Sequence, residues 1–185
     1  MTPTGHALRD QVAVRAQALE DLFGDIARTR MAGLPVMHPG LRVEAVGFLH
    51  EPAGDPAGAP GAPALPGATG ILVTPWFMNL VWMPLRPSDA PARIGASRLR
   101  RVGSEQFAFT GAHEERFGAF EACSLFSPMF EFRTQAEATA TASALLSQLR
   151  AQAPGQAERE RPLVAARRSF LFGADDRRAA RERAR

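Results

Sequence analysis

Two dense apolar segments, each interrupted by proline, constrain the fold of this chain more than any other feature. The first reads Ile71-Leu-Val-Thr-Pro-Trp-Phe-Met-Asn-Leu-Val-Trp-Met-Pro84, and the second Ala122-Cys-Ser-Leu-Phe-Ser-Pro-Met-Phe-Glu-Phe132. Each reads as a strand that meets a proline just as its side chains become large, aromatic and Met-rich. Proline removes a ladder donor, so in a sheet it stands at an edge, a bulge or a strand end. Trp, Phe and Met beside such breaks are costly to leave in water and well suited to gripping another protein. The candidate partner-binding residues are therefore Pro75, Trp76, Phe77, Met78 and Trp82 in the first segment. In the second they are Phe126, Ser127, Pro128, Met129 and Phe130. Core packing competes for the same residues, because consecutive large side chains on a strand project to both faces.

The chain has 185 residues, enough for one ordinary domain with a real core. Its net charge is only +3, and all 22 basic residues are Arg. The pI of 10.7 follows from that residue type, because Arg stays protonated far above neutral pH. It is not a sign of a nucleic-acid partner. The sole cysteine, Cys123, rules out a disulfide within the monomer and argues against an oxidised, secreted scaffold. The N-terminus shows no continuous apolar stretch of a signal peptide. The longest apolar run, Ile71 to Leu85, holds two prolines and falls short of the roughly 20 residues that span a bilayer. A soluble, cytoplasmic protein with no direct membrane insertion is expected.

Leu8, Val12, Leu19, Phe23 and Ile26 recur at helical spacing and predict a helix over 8–28. His38-Pro-Gly40 signals a turn into a strand at Leu41–Ala45, with a bulge near Gly47 where the alternation changes phase. Residues 51–68 are dense in Pro and Gly and read as a disordered insertion loop. Ile71–Met83 reads as one long strand. An irregular Pro-rich connection, a strand at Phe107–Phe109, a turn region at Gly111–Gly118 and a strand at Phe120–Phe126 follow. Thr134 and Glu137 form a capping box that opens a second helix with Ala138, Ala142, Leu145 and Leu149 on its buried stripe. The strands lack long crossovers between them. The expected fold is therefore α+β: a mostly antiparallel sheet with an N-terminal and a C-terminal helix packed against it, both on one side. Residues 153–185 read as an Arg-rich flexible tail.

No cofactor or metal site is indicated. His6, His38, His50 and His113 are scattered, and one cysteine cannot complete a zinc set. Cys123 lies in an apolar strand with no adjacent cation to activate it, so a Cys-dependent enzyme is the weaker reading beside a small buried hydrophobe. The tail arginines are interrupted by Glu158, Glu160, Asp175, Asp176 and Glu182, which favours a solvated tail over a phosphate-binding one.

Three co-linear motifs carry a resemblance. Val43-Glu-Ala-Val-Gly-Phe48, Leu72-Val-Thr-Pro-Trp-Phe-Met-Asn-Leu80 and Ala122-Cys-Ser-Leu-Phe-Ser-Pro-Met-Phe-Glu-Phe132 together resemble the HybE family, also called the HupJ or HoxT type. These are accessory chaperones for the assembly of membrane-associated nickel–iron hydrogenases. The resemblance implies a chaperone domain over 6–152. It also implies a non-enzymatic, cytoplasmic maturation factor that attends the large or small hydrogenase subunit precursor, or both, before twin-arginine export. Pro75, Trp76, Ser127 and Pro128 are the motif positions it marks. A factor that protects iron–sulfur small-subunit assembly under oxygen is the alternative within the same biology. The insertion at 51–68 replaces what the resemblance implies is a shorter connection. The tail holds no rubredoxin-like Cys-x-x-Cys pair. Within it, Ala166-Arg-Arg-Ser-Phe-Leu-Phe-Gly173 is similar to a twin-arginine export motif, carried by Arg167, Arg168, Phe170, Leu171 and Phe172. It stands at the wrong end to export this chain. It is either a match by composition or a mimic of a client's signal peptide.

Overall fold

The helical stripe becomes α1, Gly5–Arg28, in a computed structural model that describes residues 5–51, 66–86, 94–103 and 105–151. Val12, Leu19, Leu22, Phe23 and Ile26 are buried along it, and so is Arg15, where the pattern asks for an apolar residue. The Arg15 guanidinium lies 3.7 Å over the Phe117 ring. It donates to the carbonyls of Pro84 and Phe117, each at 3.2 Å. A flat cation on an aromatic face with two carbonyl acceptors is a tolerable buried charge. Burial still pushes its pKa below the ordinary arginine value.

Six strands follow: β1 (Glu44–Glu51), β2 (Gly67–Val73), β3 (Met78–Pro84), β4 (Ser97–Val102), β5 (Glu105–Glu114) and β6 (Gly118–Phe126). They form an antiparallel sheet in the order β1-β2-β3-β6-β5-β4. The final helix, α2, spans Gln135–Ala151. The α+β architecture is as the sequence suggests, with one correction: the two helices lie on opposite faces. Ala68 and Leu72 of β2 and Val81 and Met83 of β3 share a face and pack with α1. Ala45 of β1 joins that cluster, whereas the next-door Glu44 accepts a 2.8 Å hydrogen bond from Gln135 of α2. Neighbours on a strand point to opposite faces. Every residue of β2 is buried, which requires cover on both sides. One helix per face provides it.

The sheet also bends around α2. Arg150, in the last turn of α2, donates to the carbonyls of Gly47 and Thr69 near one edge, at 2.8 and 3.1 Å. The β4–β5 turn from the other edge reaches the same end of α2. There Gly103, at φ 63°, packs so closely that an added Cβ would overlap the Leu149 carbonyl. Phe109 and Val102 are buried on the inside of this bend.

Several boundaries move. The apolar run 71–83 is two strands, because Thr74–Phe77 turns the chain back on itself. The expected turn region 111–118 narrows to residues 115–117, since β5 continues through Gly111 to Glu114. The first strand starts later than expected and runs to Glu51, with the expected bulge at Gly47 (φ 61°) shifting the register between Val46 and Leu49. The helix cap is as expected at Thr134, whose Oγ1 accepts from the Glu137 amide at 3.2 Å. The return arm reaches one residue further back, to the Arg133 amide at 2.9 Å.

Strand β4 had no forecast. Its inward positions are Arg100 and Val102, while Leu99 is 41% exposed. Arg100 stacks 3.7 Å over the Trp82 ring and pairs with Glu121. Of the insertion read over 51–68, residues 52–65 lie outside the described residues. Its ends are ordered: Glu51 pairs with Gly67 at the close of the β1–β2 ladder. The tail, with Arg167, Arg168, Phe170, Leu171 and Phe172, also lies outside them.

Candidate functional site

The β2–β3 turn is built on one side chain. Thr74 is fully buried. Its hydroxyl donates to the Phe77 carbonyl at 2.9 Å and accepts from the amides of Trp76 and Phe77 at 3.3 and 3.0 Å. The Thr74 amide donates to the same Phe77 carbonyl at 2.8 Å. A hydroxyl offers one donor and two acceptor positions, and all are used. The turn so formed aims two consecutive carbonyls outward, and each is taken by a different loop. The His38 amide, on the α1–β1 connection, donates to Pro75 O at 2.8 Å. The Ser127 hydroxyl, on the β6–α2 connection, donates to Trp76 O at 3.3 Å. The two loops meet each other where His38 and Phe130 bring their rings to 6.1 Å.

Most of the predicted residues converge at this pole of the sheet, at different depths. Pro75 is buried, and Met78 closes the ladder against Val73 and Phe126. Trp76 and Phe77 are half-buried about Phe23, with centroids at 6.3 and 5.6 Å and 5.3 Å between themselves. Phe126 is half-buried and meets Phe132 edge-to-face at 5.1 Å. Ser127 and Pro128 are exposed, and the peptide between them is cis. Met129 is 0% exposed, whereas Phe130, the next residue, is 56% exposed. Trp82 does not belong with the others. It sits toward the far end of β3 on the α2 face, under Arg100 and against Gly67, where a Cβ would collide with its indole.

Sequence reasoning missed His38 as part of this surface and Leu34, exposed on the same connection. The turn signal His38-Pro-Gly40 was visible, but its contact with a residue 92 positions away was not. Thr74 was hidden because a threonine inside an apolar run reads as one more strand residue. Cys123 is buried in β6, its Sγ 4.0 Å from the Ser124 carbonyl. Among the described residues no group of three or more His, Cys, Asp or Glu is placed to hold a metal ion. Among them, too, no helix is long and apolar enough to cross a membrane.

The arrangement suits contact with an apolar chain, since the exposed Phe130 ring sits on a loop whose Met129 and Phe132 are buried, with exposed Glu131 between them. Residues 14–173 match the family described as NiFe-hydrogenase assembly, chaperone, HybE. The chain is 46% identical over 165 residues to the protein HoxT of Cupriavidus necator, covering 86% of this chain and 88% of that protein. It is 36% identical over 146 residues to the hydrogenase expression/formation protein HoxT of Azotobacter vinelandii, covering 79% and 87%. The solution structure of HybE from Escherichia coli superposes with a TM-score of 0.50 at 18% identity, over 81% of this chain and 88% of that one. At that identity the likeness speaks for the fold.

Proposed function

This chain belongs to the HybE family of NiFe-hydrogenase assembly chaperones, and from that premise we propose that it acts by binding a hydrogenase subunit precursor at the pole formed by Thr74–Phe77, Ser127–Phe130 and His38. The reading is of a binding protein rather than a catalyst, working in the cytoplasm before twin-arginine export. The observation that carries it is Phe130. Its ring is more than half exposed, yet Met129 before it and Phe132 two residues on are buried and joined by a 3.1 Å backbone hydrogen bond that fixes the loop. A pre-positioned aromatic loses little conformational freedom on binding, and such anchors dominate interface energies. Buried Pro75, Met78 and Met129 and half-buried Trp76, Phe77 and Phe126 form the fixed base of the pole. Trp82 takes no part.

The test is an affinity pull-down from hydrogenase-expressing cells with the subunits identified, run with the wild type and with Phe130→Ala. The proposal expects one subunit precursor to be retained by the wild type and lost by the variant. Equal retention by both would move the client surface elsewhere. The segment Arg167–Phe172 is proposed to compete with a client's twin-arginine peptide. Support comes from its paired arginines beside an apolar plug, and from a family match that runs on to residue 173. Truncation after Pro162 should raise affinity for a synthetic signal peptide of the small subunit. Equal binding would make the match one of composition alone.

A further inference from the structure

We infer that Thr74 is the positioning residue of the client surface: its hydroxyl holds the β2–β3 turn in the one shape that latches both flanking loops, and so sets where Phe130 stands. The inference rests on the reading of this pole as the surface that takes the precursor.

The contacts around Thr74 form a closed circuit. The Thr74 hydroxyl fixes the amides of Trp76 and Phe77 and the carbonyl of Phe77. That leaves Pro75 O and Trp76 O as the outward acceptors. His38 N binds the first and Ser127 Oγ the second. His38 and Phe130 then meet ring to ring, closing the circuit from the α1–β1 loop to the β6–α2 loop. The two loops come from elements far apart in sequence, and the turn is what each of them is hydrogen-bonded to here. Pro75 itself has no N–H, and the two amides that follow it are both taken by the Thr74 hydroxyl. A buried hydroxyl with all three of its hydrogen-bonding positions filled is hard to replace by an apolar group of the same shape. Valine in its place takes the acceptor from both the Trp76 and the Phe77 amides.

Thr74 touches no client in this account. It acts through the turn, so the test separates position from contact. Thr74→Val, Thr74→Ser, Ser127→Ala and Phe130→Ala are compared in the full chain. One readout is hydrogen exchange at the amides of His38, Trp76 and Phe77, which reports the pole with no client present. The other is calorimetric affinity for the purified large-subunit and small-subunit precursors, measured separately. Thr74→Val should speed exchange at these amides, and should weaken binding of whichever precursor the wild type holds by roughly tenfold, as loss of an interface anchor does. Thr74→Ser keeps the hydroxyl and should restore both. Ser127→Ala opens only the Trp76 latch. It should weaken binding in the same direction by a smaller factor, and it decides the matter if Thr74→Val does not fold. Unchanged exchange in Thr74→Val overturns the inference, as does a serine variant no better than the valine. Faster exchange with full affinity, while Phe130→Ala binds poorly, overturns it too. If Phe130→Ala and Thr74→Val both bind like the wild type, the client surface itself is misplaced, and the proposed function fails rather than the role of Thr74 alone.

Discussion

Thr74–Phe77 and Ser127–Phe132 are both proline-containing turns at the same end of the sheet, yet they dispose of their apolar side chains differently. The first joins two central strands and folds what it carries inward. Pro75 is buried, and Trp76 and Phe77 lean on Phe23. The second leaves the sheet after β6 and runs over its end toward α2. It buries only some of its side chains: Met129 and Phe132, three residues apart, go in, while Phe130 and Glu131 between them stay out. Apolar density alone therefore does not mark an interaction surface. What marks the proposed surface is an apolar side chain, Phe130, left outside on a loop whose Met129 and Phe132 are buried.

That contrast can be broken by truncating one residue from each class. Met129→Ala should give the largest stability loss, about 3 kcal/mol, because it opens a cavity in a fully buried site. Chemical denaturation reads it directly. A loss under about 1 kcal/mol would mean that Met129 is not the plug that holds the loop. Phe77→Ala should cost roughly 2 kcal/mol, less than a fully buried phenylalanine, since its ring is half-buried against Phe23 and Trp76. A cost near zero with lost client binding would place Phe77 with Phe130 instead.

Smaller effects belong away from the pole. Replacing residues 52–65 with a short Gly-Ser turn should leave the melting temperature nearly unchanged. The β1–β2 ladder already closes at Glu51 and Gly67, and loop-closure entropy varies only slowly with length. A large fall in melting temperature would show that the insertion supports the fold. The smallest effect concerns Asp25. The hydrogen bond from the Arg116 guanidinium at 2.7 Å, helped by Arg28, holds its carboxyl below the usual carboxylate range. A folded-state pKa below the unfolded one adds stability above the unfolded value, and that stability is lost as pH falls through the folded value. Asp25→Asn should therefore be slightly less stable than the wild type at neutral pH, and the gap should close in acid. A gap independent of pH would exclude this ion pair as its cause.

The sequence revealed elements wherever a local rule governed them. The stripe of α1, the Thr134 cap and the Gly47 bulge each depend on neighbours a few residues apart. It concealed what depends on distant partners. Arg15 and Arg100 occupy core-facing positions because Phe117 and Trp82 lie beneath them, and no local pattern announces a ring brought in from a distant part of the chain. For the same reason β4, with its arginine turned inward and Leu99 outward, did not read as a strand. The placement of the helices on opposite faces follows from a β2 buried at every position, but only its Ile71–Val73 end reads as strand, and Gly67 and Ala68 fall in the expected insertion loop. At the candidate site the segment was legible and the exposure was not. Trp76 and Phe130 are alike as letters and differ only in what the fold stacks above them.

The most direct test sets Met129→Ala beside Phe130→Ala and measures unfolding free energy and precursor affinity for both. The account predicts that Phe130→Ala stays within about 0.5 kcal/mol of the wild type in stability and loses about 2 kcal/mol or more of binding. Met129→Ala should lose stability first. Wild-type affinity in a well-folded Phe130→Ala protein would contradict the account at its centre.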